Sequence, residues 1–336
     1  MSMWLVRALI GVALVVSAKP AQEPVRVRLG TVVPVGSLWE ETLQHLRQEW
    51  HRISKGGVKV TIHAGGALGD EVEMVRQVRQ GRIQAVGLSS VGLSRIDNGV
   101  SCLQVPMMFR SYDELDYVRD RLAATLERRI EAKGFKVLHW ADGGWVYVFS
   151  KNPARTPDDL RRMKLFTSAG DPETEQLYKK FGFRVVPLSM ADLSQSLNTG
   201  MVEAFSTVPL FAQLQGTYKL APHMLDVKWT PLVGGTVISL SVWESFPASW
   251  RSAMLEAARS AGGRLRGSIR KLGDDAVTEM QKRGLDVIHP DAPTAAAWQA
   301  AAEVTYPHLS GPYCPADLFQ DVKRLRDEAR RQTGAR

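Results

Sequence analysis

The sequence predicts an α/β protein of two lobes, with helices on both sides of a sheet. Short apolar segments recur between helical segments in a β-α-β-α-β order. The chain has 336 residues, enough for about two domains. It contains no proline-rich or serine-rich linker. Two lobes without a linker must be joined by strands that pass from one lobe to the other.

The first part of the chain supplies three strands and two helices. Ser37 and Glu40 form a capping-box pattern that begins a helix, and this helix ends before Gly56. Asp70 caps a second helix, which ends at Gly81. The last strand is almost continuously apolar, as is typical of a strand buried on both faces. The predicted strands cover residues 25–29, 58–62 and 83–88.

The same alternation continues to the C-terminus. Further strands are predicted for residues 135–140, 145–150, 163–167, 183–186 and 236–242. Further helices are predicted for 115–130, after the caps Thr156, Asp171 and Ser189, and for the long segment 247–282. The charged segment 323–331 is interpreted as the solvated face of a helix.

The N-terminus indicates export. Arg7 is followed by an apolar run over 8–16 and then by small residues ending at Ala18, the pattern of a secretory signal cleaved after Ala18. The run is about half the ~20 residues that a membrane span needs. We therefore expect a soluble periplasmic protein. Nucleic acid is not expected as a partner, although the formal net charge is +8.

The chain has two cysteines, Cys102 and Cys314, which excludes a disulfide scaffold and a metal cluster built of cysteines. They either pair or remain buried thiols. Nothing in the sequence indicates an enzyme, a cofactor or a metal, because the motifs of nucleophile elbows, zinc sites and nucleotide loops are missing. His63 and His139 are interpreted as strand or loop residues with satisfied hydrogen bonds, and Gly65 to Gly69 as a tight turn.

Several segments together resemble the extracytoplasmic solute-binding proteins of TRAP (tripartite ATP-independent periplasmic) transporters. They are Gly65–Gly69 with the helix after it, Val105–Tyr112, Ser150–Pro153 with Thr156–Leu160, Met163–Leu165, Val186–Leu188 and Leu197–Glu203. The resemblance implies two lobes, a cleft that closes on one ligand, and delivery to an integral membrane permease. It divides the chain into a signal (1–18), lobe I (25–145 with part of the C-terminal half), lobe II (146–240), a helix across both lobes (247–282) and a C-terminal helical segment (283–336). It leaves a homodimer open.

The departures from the family pattern concern the ligand. The family's carboxylate-binding arginine after Lys164-Leu165 is replaced by Phe166, and its second ligand arginine by Trp145. Ser206-Thr207 stands where the family has Glu-Asn. A buried carboxylate without its arginine loses about 3–5 kcal/mol, so an organic dianion would bind poorly. We expect an apolar or amphipathic ligand, with Trp39 and Trp229 adding to the wall and Ser89 or Thr207 offering hydrogen bonds.

Three alternatives remain at this stage. The register at Phe166 and Trp145 can be displaced, in which case Arg162 and Lys164 would supply charge for a carboxylate ligand. The same fold can serve as a ligand sensor without a transport role. An exported enzyme would need a nucleophile with a base beside it, and no such pair is recognisable in the sequence.

Overall fold

The structure, a computed structural model, describes residues 23–334. The predicted signal segment 1–18 lies outside them. The strands are β1 (Val25–Thr31), β2 (Val58–His63), β3 (Ala85–Ser89), β4 (Phe135–Ser150), β5 (Lys164–Ser168), β6 (Arg184–Leu188), β7 (Ala204–Thr207), β8 (His223–Ser239) and β9 (Asp286–Ile288). The prediction of an α/β fold is confirmed.

The helices alternate with these strands. They are α1 (Leu38–Ile53), α2 (Glu71–Arg79), α3 (Ser90–Ser94), α4 (Tyr112–Glu131), α5 (Pro157–Arg162), α6 (Pro172–Lys180), α7 (Leu193–Thr199), α8 (Pro209–Gln215), α9 (Leu240–Ser245), α10 (Ala248–Gln281), α11 (Ala292–Glu303), α12 (Tyr306–Leu309) and α13 (Ala316–Gly334). Short 3₁₀ helices cover Asn98–Gln104, Met190–Asp192 and Thr217–Lys219.

One sheet passes through both lobes, with the strand order β2-β1-β3-β8-β4-β7-β5-β6 and β9 beside β8. The parallel strands β1–β3 and one end of β8 form the sheet of the first lobe. The strands β5–β7 and one end of β4 form that of the second. Strands β4 and β8 pair with each other across the middle. These two strands connect the lobes. Such connecting strands are predicted from the sequence because the chain has no linker segment.

The hinge in β4 lies at a β-bulge. Its register against β8 shifts between Asp142 and Gly144, where Gly144 has φ +98°. A Cβ on Gly143 would lie 2.4 Å from Leu232 Cδ2, so only glycine fits against β8 there. A bulge bends a strand without ending it. The sequence predicts two strands around this glycine pair, and the structure has one continuous bent strand.

The structure differs from the sequence prediction at two other places. Residues 240–242, predicted as the end of a strand, begin the short helix α9 instead. The Ser37 hydroxyl accepts a hydrogen bond from the Glu40 N–H, as the predicted capping box requires. The Glu40 carboxylate, however, accepts from the N–H of Gly36 and not from that of Ser37. The full reciprocal capping box occurs at Thr156 and Asp159.

The C-terminal part of the chain contacts elements of both lobes. The 34-residue helix α10 packs along β4, α1 and α8, and α13 packs on α4. A disulfide joins Cys102 to Cys314 with a Cα–Cα distance of 5.1 Å. Of the two states that the sequence leaves open for these cysteines, the structure has the paired one. The bond closes a loop across 212 residues of sequence.

The disulfide should stabilise the fold substantially. We expect the double variant Cys102→Ser/Cys314→Ser to unfold with a free energy about 2–4 kcal/mol lower, because the open chain regains the entropy of a long loop. Urea denaturation followed by circular dichroism measures this difference. A reducing agent should destabilise the native protein and leave the double variant unchanged. Two free thiols in the unreduced native protein would contradict the assignment.

Candidate functional site

A cavity of about 90 Å³ lies between the lobes beside the hinge. The carboxyl ends of β1 and β3 border it on one side, which is where open α/β sheets bind their ligands. The bent parts of β4 and β8 and the helices α8 and α10 close the other sides. Its wall is largely apolar and includes Val33, Trp39, Leu43, Phe211, Leu232 and Leu265.

Two aromatic rings face each other in this wall. The ring centroids of Trp39 and Phe211 are 5.1 Å apart, with the planes tilted by 43°. Trp39 belongs to α1 of the first lobe, and its Nε1–H donates to the backbone oxygen of Asp142 at 3.0 Å. Phe211 belongs to α8, the helix that follows the second-lobe strand β7. Each lobe therefore contributes one ring, and closure brings them together.

A buried carboxylate stands at the polar end of the cavity. Glu71 accepts from the Ser89 N–H at 2.7 Å, from the Ser89 hydroxyl at 2.6 Å and from the Gly92 N–H at 2.9 Å. Burial raises the pKa of Glu71, and these three bonds offset the rise only in part. Among the described residues that line the cavity, none is a lysine or an arginine. This wall offers no cationic side chain to an anionic ligand.

His139 also lines the cavity and is only 4% exposed. Its Nδ1 contacts the Trp140 backbone oxygen at 3.3 Å, whereas Nε2 has no hydrogen-bond partner among the described residues. Burial lowers the pKa of His139, so the imidazole is neutral near pH 7. The prediction that both ring nitrogens of His139 have hydrogen-bond partners within the protein is wrong, because the strand places Nε2 where no described residue can pair with it. The same holds for Nε2 of His63.

A buried ion-pair network, which we call the hinge quartet, fixes the strand beside the cavity. Its members are Asp116 and Arg119 of α4, Asp142 of β4 and Arg270 of α10. Arg119 donates to Asp142 at 2.6 Å, and Arg270 donates to the other Asp142 oxygen at 2.6 and 3.0 Å. Asp116 binds both arginines. The quartet contains two positive and two negative charges, and Arg266 of α10 lies 4.0 Å from Asp116 at its edge.

The charges of the hinge quartet also act on Asp116. Burial alone would raise the pKa of this carboxyl, but the hydrogen bonds from Arg270 and the positive charges of both arginines outweigh it and hold the pKa below its usual value. Both arginines are therefore engaged with protein carboxylates. They lie next to the hinge, yet they are not free to bind a ligand carboxylate.

The lobes also meet at a second place, which we call the interlobe latch. Arg95, at the end of α3, donates to Glu173 of α6 through two bonds of 3.1 and 2.6 Å and lies 3.8 Å from Asp171. A Cβ on Gly170 would lie 3.1 Å from Val72 Cγ2 across the gap. The described structure is therefore a closed arrangement of the lobes. A polar cavity of about 100 Å³ adjoins the latch.

The structure places the predicted site residues in three regions. Trp39 and Ser89 line the interlobe cavity. Trp145 and Phe166 belong to one hydrophobic core cluster and do not line this cavity. The ring of Trp145 packs against that of Tyr112, with centroids 5.2 Å apart and planes tilted by 31°. Their role in ligand binding stays a prediction.

The other three predicted site residues lie in the second lobe. Ser206 and Trp229 line a small cavity of about 10 Å³, and Trp229 donates to the Tyr178 hydroxyl at 3.1 Å. Thr207 pairs with Tyr147 in the sheet. A ligand role for these residues also stays a prediction.

Sequence reasoning missed Phe211, His139 and Glu71. Phe211 lies two residues after the proline that starts α8, which places it in the first turn of that helix but does not say what it faces. Glu71 follows the helix cap Asp70 and looks like an ordinary first-turn acid. Only the folded chain brings these residues to one cavity, because they lie on different elements far apart in sequence.

A family model describes how this chain is related to known proteins. The model of the bacterial extracellular solute-binding proteins, family 7, matches residues 29–310, most of the chain. The chain belongs to this family. The resemblance to TRAP solute-binding proteins found in the sequence motifs is thereby confirmed.

The curated relatives of this family 7 protein are distant. The 2,3-diketo-L-gulonate-binding periplasmic protein of Escherichia coli is 25% identical over 244 residues, which are 70% of this chain and 72% of that protein. The C4-dicarboxylate-binding periplasmic protein of Rhodobacter capsulatus is 21% identical over 300 residues, 87% of this chain and 89% of that protein. None of the comparisons supports the homodimer that the sequence left open.

Solved structures share the fold. A TRAP periplasmic solute-binding protein from Ralstonia eutropha with bound (S)-2-acetolactate superposes with a TM-score of 0.84 at 20% identity, covering 90% of this chain and 99% of that one. One from Chromohalobacter salexigens with bound D-glucuronate gives a TM-score of 0.81 at 20% identity, with the same coverage. The predicted fold of two lobes, hinge strands and a long helix is confirmed. Within residues 23–334, no helix is both long and apolar enough to cross a bilayer.

The hinge quartet should be a main source of stability. We expect Asp142→Ala to lower the free energy of unfolding by about 3–5 kcal/mol, because Arg119, 1% exposed, would lose its buried partner. Thermal and urea denaturation measure the change. Asp321→Ala, which removes an exposed partner of Arg324, is the matched control and should leave stability nearly unchanged. Equal effects of the two substitutions would contradict this role of the quartet.

Proposed function

We propose that this family 7 protein is the periplasmic receptor of a TRAP transport system and that it carries a small, uncharged, apolar or amphipathic molecule to a membrane permease. The proposed ligand site is the interlobe cavity. One observation carries the choice of ligand class: the cavity wall has an aromatic ring from each lobe and neither a lysine nor an arginine among its described residues.

An anionic ligand would meet unfavourable electrostatics in this cavity. Its carboxylate would leave water without a guanidinium to replace the lost hydration. It would also lie in the same small cavity as the carboxyl group of Glu71. The hinge arginines do not offset this cost, because Asp116 and Asp142 already bind them.

An uncharged ligand gains from the same wall. Burial of about 200–300 Å² of apolar ligand surface at ~25 cal/mol/Å² contributes roughly 5–7 kcal/mol before the entropy cost of association. The volume of about 90 Å³ in the closed arrangement favours a small molecule. Its contacts would come from both lobes, so that binding would favour closure at the hinge in β4.

The compartment follows from two independent features. A disulfide between Cys102 and Cys314 persists in oxidising surroundings such as the periplasm. The segment 1–18 has the pattern of a cleaved export signal. Both support a receptor that works outside the cytoplasm beside an integral membrane permease. A ligand sensor on this fold would bind the same class of molecule and would differ in its protein partner.

A carboxylate receptor is the second candidate. It is favoured by the names of relatives, since the proteins from Escherichia coli and Rhodobacter capsulatus are described as binding 2,3-diketo-L-gulonate and C4-dicarboxylates. For this chain, such a ligand would need a cation. Arg162 or Lys164 would have to supply it, or Arg95, which lines the polar cavity beside the interlobe latch and is bound there by Glu173. The Lys164 ammonium instead donates to the Gly200 backbone oxygen at 2.7 Å.

Ligand class can be tested by calorimetric titration at pH 7 with phenol as an uncharged probe and D-glucuronate as an anionic one. We expect phenol to bind and D-glucuronate to give no heat of binding. Phe211→Ala should weaken phenol binding about tenfold, because one face of the cavity is removed. Phe183→Ala, a partly buried ring in the second lobe, is the matched control. Tighter binding of D-glucuronate than of phenol would favour the carboxylate receptor.

Closure can be tested through the interlobe latch. We expect Arg95→Ala to shift the unliganded protein toward an open form, because the bidentate bond to Glu173 joins the two lobes. Small-angle X-ray scattering should record a larger radius of gyration. Arg76→Ala removes a similar ion pair with Glu73 within α2 and should leave the radius unchanged. An unchanged radius for Arg95→Ala would rule out the latch as a determinant of closure.

A further inference from the structure

We infer that the interlobe cavity selects ligands that donate a hydrogen bond, an alcohol, a phenol or an N–H compound, and that Nε2 of His139 accepts this bond. The inference rests on the proposed function, because it takes the interlobe cavity as the ligand site. It adds a chemical requirement that apolar character alone does not impose.

The geometry of His139 fixes which nitrogen is the acceptor. The ring sits in β4 opposite Thr236, and its Nδ1 lies 3.3 Å from the Trp140 carbonyl oxygen. A carbonyl oxygen can only accept, so Nδ1 carries the proton and Nε2 presents a lone pair. Nε2 has no partner among the described residues. A buried acceptor without a partner is uncommon and calls for a donor from outside the chain.

The helix α10 holds the ring in this orientation. A Cβ on Gly262 would lie 2.8 Å from His139 Nδ1 and 2.9 Å from its Cβ, so the glycine backbone packs directly on this side of the ring. The ring cannot move toward α10 without contacting this backbone. The charged form is disfavoured because burial lowers the pKa of His139. Nε2 is therefore a neutral acceptor near pH 7.

Two polar side chains of the cavity, Ser89 and Glu71, do not supply the missing donor, and no described residue hydrogen-bonds to His139 Nε2. The Ser89 hydroxyl donates a hydrogen bond to Glu71 at 2.6 Å and accepts one from the Val91 N–H at 3.2 Å. Both carboxyl oxygens of Glu71 accept hydrogen bonds from Ser89 and Gly92 and give none to His139. The polar end of the cavity thus presents acceptors to a ligand. A donor group on the ligand complements this end, whereas an ether or a carboxylate does not.

The test compares phenol with anisole, which has nearly the same ring but no O–H. Calorimetric titration of the full mature protein with phenol, anisole and benzoate gives the three affinities. We expect phenol to bind at least about tenfold more tightly than anisole, because anisole leaves Nε2 buried and unpaired. Benzoate should bind more weakly than either.

Three variants assign the preference to His139. His139→Phe should bind phenol and anisole about equally, since the acceptor is gone and the ring shape is kept. His139→Gln, which retains an acceptor oxygen, should restore part of the preference. His63→Phe is the control, because His63 also has an unpartnered Nε2 but does not line the cavity. Its phenol-to-anisole ratio should equal that of the unaltered protein.

If the variants do not fold, the role of His139 can still be tested by NMR on the unaltered protein. In the ¹⁵N NMR spectrum of the unaltered protein, the His139 Nε2 resonance should shift on adding phenol and stay in place on adding anisole. Equal affinities for phenol and anisole, with benzoate weaker, would overturn the donor requirement and leave the proposed function standing. Tightest binding of benzoate, or no binding of phenol, would overturn both.

Discussion

Asp142 stands at the bend of β4, and its carboxylate is held between Arg119 from α4 and Arg270 from α10. The hinge quartet built on this pair joins the strand that carries the glycine bulge to α4 and α10. The backbone oxygen of the same residue accepts a hydrogen bond from the indole N–H of Trp39. One buried residue thus contacts the hinge, the long helix and the aromatic wall. Charges this deeply buried persist only where each has its partner.

The hinge quartet also bears on the ligand. Arginines near a cleft usually indicate an anionic ligand, because a guanidinium binds a carboxylate through two parallel bonds. Here Arg119 and Arg270 are neutralised by the protein's own aspartates. What remains at the cavity is an apolar wall, a buried glutamic acid and a neutral histidine. Relatives whose names refer to sugar acids and dicarboxylates share the family and the fold, and the proposed ligand class departs from theirs.

Much of the fold could be predicted from local sequence signals. The caps Ser37, Asp70 and Thr156 mark helix starts because their side chains satisfy backbone N–H groups within the same turn. The glycine pair at 143–144 is interpreted from the sequence as the end of one strand and the start of another, because a β-bulge and a strand end have the same appearance in sequence. Residues 240–242 are apolar and suit a strand or a short helix equally, so periodicity could not decide between them.

The candidate site was less predictable than the fold. Trp39 and Ser89 could be named because they lie near helix starts at the carboxyl ends of strands, where ligands bind. Phe166 and Trp145 were chosen by alignment with ligand arginines, and both lie in a core cluster that the cavity does not reach. Phe211 and His139 line the cavity only because α8 and α10 pack on β4. Local sequence patterns do not encode these tertiary contacts.

The central claim is that the cavity receives an uncharged molecule against Trp39 and Phe211. A crystal structure of the protein with the molecule that co-purifies with it is the most direct measurement. The account predicts density for a neutral ligand in the cavity against these rings, with a hydroxyl or N–H group within hydrogen-bond distance of His139 Nε2. A carboxylate bound by a lysine or an arginine would contradict it.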